Sequence, residues 1–152
     1  MKTRTVKLKE LVQSESALVR IAAMPLSARM SFTLSEVVRE ISPSLENFRK
    51  AHTALIKKYR KPAVDGQEEQ PPRFTDENSE LLNREYEDLL ESTCQLTFGK
   101  IKLSSLLSEK VGSHKEGDKT IDDFLKLSGI ELHQLAWLVR VDNAETLFEN
   151  EE

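Results

Sequence analysis

Positions 34, 38, 41, 45, 48, 52, 55 and 59 are apolar or aromatic, His52 excepted, and the steps between them alternate four and three without a slip. Steps of that kind place side chains on one stripe of an α-helix, so the pattern predicts about seven turns from Leu34 to Tyr59. A helix with one long apolar stripe is unstable alone in water and must be covered by other elements or by another chain. Ser27 or Ser31 can cap its start, and the helix is expected to run to about Lys61. Pro43 falls inside it, removing a backbone donor and crowding the carbonyl of Arg39. Ser42 could cap a fresh helix with Pro43 at its first position. The phase passes unbroken from Ile41 to Leu45, which favours one kinked helix instead.

The flanking pattern supplies shorter elements. Residues 3–8 alternate and carry β-branched side chains, as a short strand does. A helix over 9–23 follows, with Leu8, Leu11, Val12, Leu18, Val19 and Ala22 on its inner face and Pro25 ending it. Residues 62–74 hold Pro62, Gly66, Pro71 and Pro72 and read as a loop. Thr75 caps the next helix, whose inner face is Leu81, Leu82, Tyr86, Leu89, Leu90 and Thr93. Between Gln95 and Leu103 the period drops to two, and Gly99 shifts the phase, predicting one strand with a bulge that pairs with the N-terminal strand. Residues 112–119 read as an exposed loop, Thr120 as the cap of a short helix through Leu127 ended by Gly129, and Leu132 to Val139 as a last helix.

These elements make a mainly α (α+β) chain: a long antiparallel helical hairpin with short accessory helices and a small two-stranded antiparallel sheet. One domain over 1–141 and an acidic tail over 142–152 follow from 152 residues. Charge supports the hairpin. Residues 1–61 hold 13 Lys/Arg and 5 Asp/Glu, whereas 62–152 hold 9 and 21, which sum to the net −4. The basic end of the long helix thus meets an acidic partner helix. At about 1.5 Å per residue, 34–61 spans roughly 42 Å and 75–92 roughly 27 Å. About ten residues of stripe outrun the partner, and either the accessory helices or another subunit must cover them.

Charged residues make up 32% and aromatics 6%, and no apolar run approaches the roughly 18–20 residues of a membrane span, so no membrane association and no signal peptide is expected. Cys94 is the only cysteine, which rules out an internal disulfide and points to a buried, inert thiol. The three histidines lie far apart: His52 in the stripe, His114 in the loop, and His133 on the surface of the last helix. None has a second ligand at metal spacing, and the glycines never cluster as phosphate loops require. No catalytic, cofactor-binding or metal-binding residue is assigned, and the chain is read as non-enzymatic. Two candidate partner contacts remain. Lys57, Lys58, Arg60 and Lys61 form a basic cluster, and its plainer role is to complement the helix C-terminus and the acidic neighbour. Nucleic acid is disfavoured because few aromatics are free to stack bases. Trp137 and Leu138 fall off the last helix's inner face if Leu135, Ala136 and Val139 point inward, and would then be a contact hot spot. A helix buried on two sides would place Trp137 in the core instead.

The order of pieces resembles a family of small, mostly helical proteins of tailed bacteriophages and prophages. The resemblance rests on Met24-Pro25-Leu26, on Phe32-Thr33-Leu34 opening the long helix, and on Ile56-Lys57-Lys58-Tyr59 closing it. It continues with the acidic helix, Lys100-Ile101-Lys102-Leu103, and the leucine-rich stretch Leu132 to Val139. Pro43 and the segment Lys110 to Lys119 depart from that pattern. The resemblance implies a virion structural or assembly protein, in the virion or the host cytoplasm, whose partners are other phage structural proteins or further copies of itself. The alternatives are a regulator or inhibitor of a host protein and an accessory protein that binds nucleic acid.

Overall fold

The computed structural model describes residues 3–62, 66 and 71–141. The acidic tail 142–152 and most of the expected 62–74 loop lie outside the described residues. A strand, β1 (Arg4–Lys7), leads directly into α1 (Leu8–Ala22). The first turn of α1 is closed by the Glu10 carboxylate, which accepts the Lys7 amide at 2.9 Å. Next come α2 (Ala28–Tyr59) and α3 (Asp76–Leu90). Of the two candidate caps for α2, Ser27 is the one used, accepting the Met30 amide, and Ser31 lies within the helix; Thr75 caps α3 by accepting the Asn78 amide, as expected.

The stripe is one continuous helix through Pro43. Pro43 is exposed, and the Ser42 hydroxyl donates to the Val38 carbonyl at 2.6 Å. Leu34, Ile41, Leu45 and Phe48 of the expected stripe are buried, and Val37 joins them while Val38 is half-buried. α1 and α3 share the labour of covering α2. Leu8 clusters with Phe48 while Leu18 and Val19 lie beside Val38 and Ile41, so α1 runs antiparallel to α2, with Glu15 paired to Arg49 on the way. Tyr86 of α3 meets Phe48 and His52, and Asn78 reaches Tyr59, so α3 runs antiparallel along the second half. The C-terminus of α3 and the N-terminus of α1 meet at Phe48, where Leu8 and Leu90 are also buried. Two helices of 15 residues laid end to end therefore nearly match one of 32, which answers the mismatch in length.

The junction is stitched by β1 and β2 (Thr93–Leu96), antiparallel with Val6 opposite Cys94. The expected pairing is thus present, but Thr93 belongs to the strand and is exposed rather than on the inner face of α3. The single bulged strand is corrected too. The chain breaks at Phe98-Gly99, and the second piece, β3 (Ile101–Lys102), leaves for another sheet and leads into α4 (Leu103–Leu107).

Two further corrections lie beyond α4. The expected loop at 112–119 and helix at 120–127 are instead a hairpin, β4 (Lys110–Glu116) and β5 (Lys119–Phe124). Gly117 opens its two-residue turn at φ +62, a conformation glycine adopts without strain, and Thr120 pairs with Lys115 rather than capping a helix. Most of the hairpin is exposed on both faces, and Leu125 anchors it in the core. α5 (Gly129–Gln134) is capped by Ser128 and Glu131 reciprocally, so Gly129 begins a helix and does not end one. The chain leaves α5 before Ala136 and enters β6 (Val139–Arg140), parallel to β3.

That early exit turns Leu135, Trp137, Leu138 and Val139 all inward. They complete a main core with Leu11, Leu18 and Ile21 of α1 and Leu34, Val37 and Ile41 of α2. On α1, Val19 and Ala22 are exposed while Ser14, Ala17 and Ile21 are buried, because the C-terminal segment packs on a face the leucines alone did not mark. Cys94 is half-buried at the edge of both cores.

Candidate functional site

Past Phe48 the molecule narrows to an arm of two helices. None of residues 49–59 and 76–89 is fully buried, although Leu55, Ile56, Tyr59, Leu81, Leu82 and Leu89 are half-buried along the seam between them. His52 sits at the arm's root between Phe48, with ring centroids 5.9 Å apart, and Tyr86, at 4.9 Å. At the tip the Asn78 amide nitrogen donates to the Tyr59 carbonyl (3.2 Å) and the Lys61 amide to the Arg73 carbonyl (2.8 Å). The first of these bonds uses a carbonyl that the C-terminus of α2 otherwise leaves without a partner, and the second ties the chain leaving α2 to the chain entering α3.

The basic cluster divides across this arm. Lys58 turns toward α3, its Nζ 3.4 Å from Glu85 Oε1 and 4.9 Å from the Tyr59 ring centroid. Bonding with Tyr59 and Glu85 raises the Lys58 ammonium above its ordinary value, and the same contacts lower the Glu85 carboxyl. Arg60 is half-buried and engaged. Lys57 and Lys61 are exposed. Of the residues singled out from sequence, these four cations stay together on the surface. Trp137 and Leu138 do not join them: both are buried, at 3% and 1% exposure. The Trp137 indole N–H donates to Ser14 Oγ at 2.9 Å, and its backbone carbonyl accepts from Arg4 Nη1 at 2.5 Å. Both are structural, and Trp137 is held by a partner, Ser14, 123 residues away in sequence.

The back of the arm, opposite the seam, is built from small side chains. Thr53 and Ala54 form the floor of a shallow groove of about 330 Å³, with Arg49 and Lys50 at one end and Lys57 at the other. Small side chains on an exposed helix let another helix approach closely. Arg49 is paired with Glu15 and Lys50 with Glu46, so among the described residues Lys57 is the lining cation with no ion pair, and it favours an acidic partner. The signal was present in the sequence, since 50, 53, 54 and 57 lie opposite the seam. The outer edge of α3 carries the opposite sign, with Asp76, Glu77, Glu80, Glu87 and Asp88 all exposed. Among the described residues no group of three His, Cys, Asp or Glu side chains is placed to hold a metal ion, and no helix is long and apolar enough to cross a membrane.

Fold and surface together define a class: a mainly α (α+β) protein whose long helix carries a core at one half and a slender two-helix arm at the other. No family model, curated protein or solved structure matches the chain.

Proposed function

We propose that this is a non-enzymatic protein of a bacteriophage, a virion component or assembly factor that works by docking its helical arm on other phage structural proteins. The observation that carries the reading is the arm itself. Two helices with a half-buried seam, a cationic back of small residues and an acidic outer edge form a surface for helix-to-helix contact. The resemblance of the chain's order of pieces to small phage proteins sets the context, either in the virion or in the host cytoplasm during assembly. Copies of the chain would follow the symmetry of the structure they dock on.

Mass spectrometry of purified particles and of assembly intermediates tests this, with wild-type protein and with a Lys50→Glu/Lys57→Glu variant. The expected result is wild-type protein in one of the two fractions and loss of the variant from it. Absence of the wild type from both removes the proposal. A stable complex with one host enzyme instead, unaffected by phage structural proteins, would favour a regulator of the host.

A further inference from the structure

A cleft of about 560 Å³ opens between the first turns of α2, the extended strap Phe98 to Lys102, and α4. It lies on the body of the molecule, and its assignment stands or falls independently of the arm. Arg29, Lys100 and Lys102 line it, and all three are exposed. Among the described residues none of these cations has an intramolecular ion pair. The one acid on the lining, Glu109, turns its Oε1 to Ser27, accepting that residue's amide at 3.0 Å and its hydroxyl at 2.6 Å, and three cations against this one carboxylate leave the lining positive. Two amides at the start of α2, those of Ser27 and Met30, are taken by Glu109 and Ser27, and the assignment rests on the cations.

Beneath the cations the lining is apolar. Met30, Phe98 and Ile101 are half-buried and pack on the main core. The strap that carries Phe98 and the two lysines is held from several sides. Arg4 donates from Nε to the Phe98 carbonyl at 3.1 Å and lies 5.5 Å over the Phe98 ring. The Ile101 amide donates to the Leu138 carbonyl at 2.8 Å, and the Thr97 amide and hydroxyl both donate to Glu40 Oε1. A wall fixed in this way loses little freedom when a ligand arrives.

We infer that this cleft binds an acidic peptide segment of a partner protein. Carboxylates of the segment meet Arg29, Lys100 and Lys102, while an apolar side chain between them covers Met30, Phe98 and Ile101. Both halves of the lining are needed to choose the ligand. A bare phosphate would use the cations and leave the apolar floor wet, and a purely apolar segment would leave three cations facing it. The volume lies within the range of ligand sites.

The test is a titration of the full-length protein, followed by backbone amide NMR, with octapeptides that alternate Glu with Leu, Val, Ile or Phe. A matched set carries Gln in place of Glu. Shifts centred on Gly99 to Lys102 with the Glu set only, weakened by added salt, support the assignment. An Arg29→Ala/Lys100→Ala/Lys102→Ala variant should then bind about tenfold more weakly, since each exposed pair is worth about a 1.4- to fivefold change. Lys9→Ala, on a different face, should bind as wild type. No binding of the Glu set, equal binding of the Gln set, or unchanged binding by the triple variant overturns it. Displacement of the peptide by an equal concentration of inorganic phosphate or of a single-stranded oligonucleotide also overturns it, because the site would then be one for phosphate anions.

Discussion

Replacing Ser14 by alanine should destabilise this protein far more than a surface serine would, through the tryptophan it serves. Ser14 is fully buried in the middle of α1, donates to the Leu11 carbonyl at 2.9 Å, and accepts the Trp137 indole N–H at 2.9 Å. Alanine fits the same space but leaves that N–H buried with no acceptor. An unsatisfied buried donor costs about 1–3 kcal/mol. At about 2–4 °C per kcal/mol for a chain of this size, Tm should fall by roughly 2–12 °C. Trp137→Phe removes the donor and part of the ring together, so it leaves a void rather than an orphaned group. The double variant has neither partner, and its cost should be below the sum of the two singles by about 1 kcal/mol or more. Urea denaturation followed by far-ultraviolet circular dichroism measures all three. Trp137 is the only tryptophan, so its fluorescence reports independently on wild type and Ser14→Ala. A Ser14→Ala variant within about 0.5 kcal/mol of wild type, or strict additivity in the cycle, would refute the reasoning.

Pro43→Ala restores a backbone donor for the Arg39 carbonyl in an exposed turn of α2 and should stabilise the protein by about 1–3 kcal/mol, read from the urea midpoint. Unchanged or reduced stability would refute this. Gly117→Ala meets no neighbouring atom but forces alanine to φ +62. It should cost about 1 kcal/mol, seen as a lower urea midpoint and as faster amide exchange in β4 and β5, and an unchanged midpoint would contradict it. Arg20, bonded to the Glu131 carboxylate at 2.6 Å, holds that carboxyl below the usual value, assisted by the Ser128 amide. Because the folded-state value is the lower one, this stabilisation is complete above the ordinary carboxylate range and is lost as pH falls through the folded value. Glu131→Gln should therefore flatten part of the acid limb of a stability-versus-pH curve, and an unchanged limb would contradict it.

Local signals were legible wherever one residue type has one main use. Ser27 and Thr75 start helices because their hydroxyls satisfy exposed amides, and the four-three spacing from Leu34 produced the long helix despite Pro43. The arm's cations could likewise be read as a cluster, since neighbours in sequence on one helix remain neighbours in space. The hairpin is not legible in the sequence because Thr120 can cap a helix or pair in a strand, and only Lys115 opposite it decides. The cleft was not legible, because its cations come from positions 29, 100 and 102 and meet only through the fold.

The order of apolar and polar residues alone therefore determined the long helix, its caps, its charged hairpin partner and the mainly helical class. Tertiary structure decided how α1 and α3 share that helix end to end, that the Gly99 segment divides between two sheets, and that Trp137 and Leu138 turn inward. The physical reason is range. Periodicity and capping act over one or two turns, whereas the Ser14–Trp137 bond and the pairing of Ile101 with Val139 join residues whose separation in the chain carries no periodic signal.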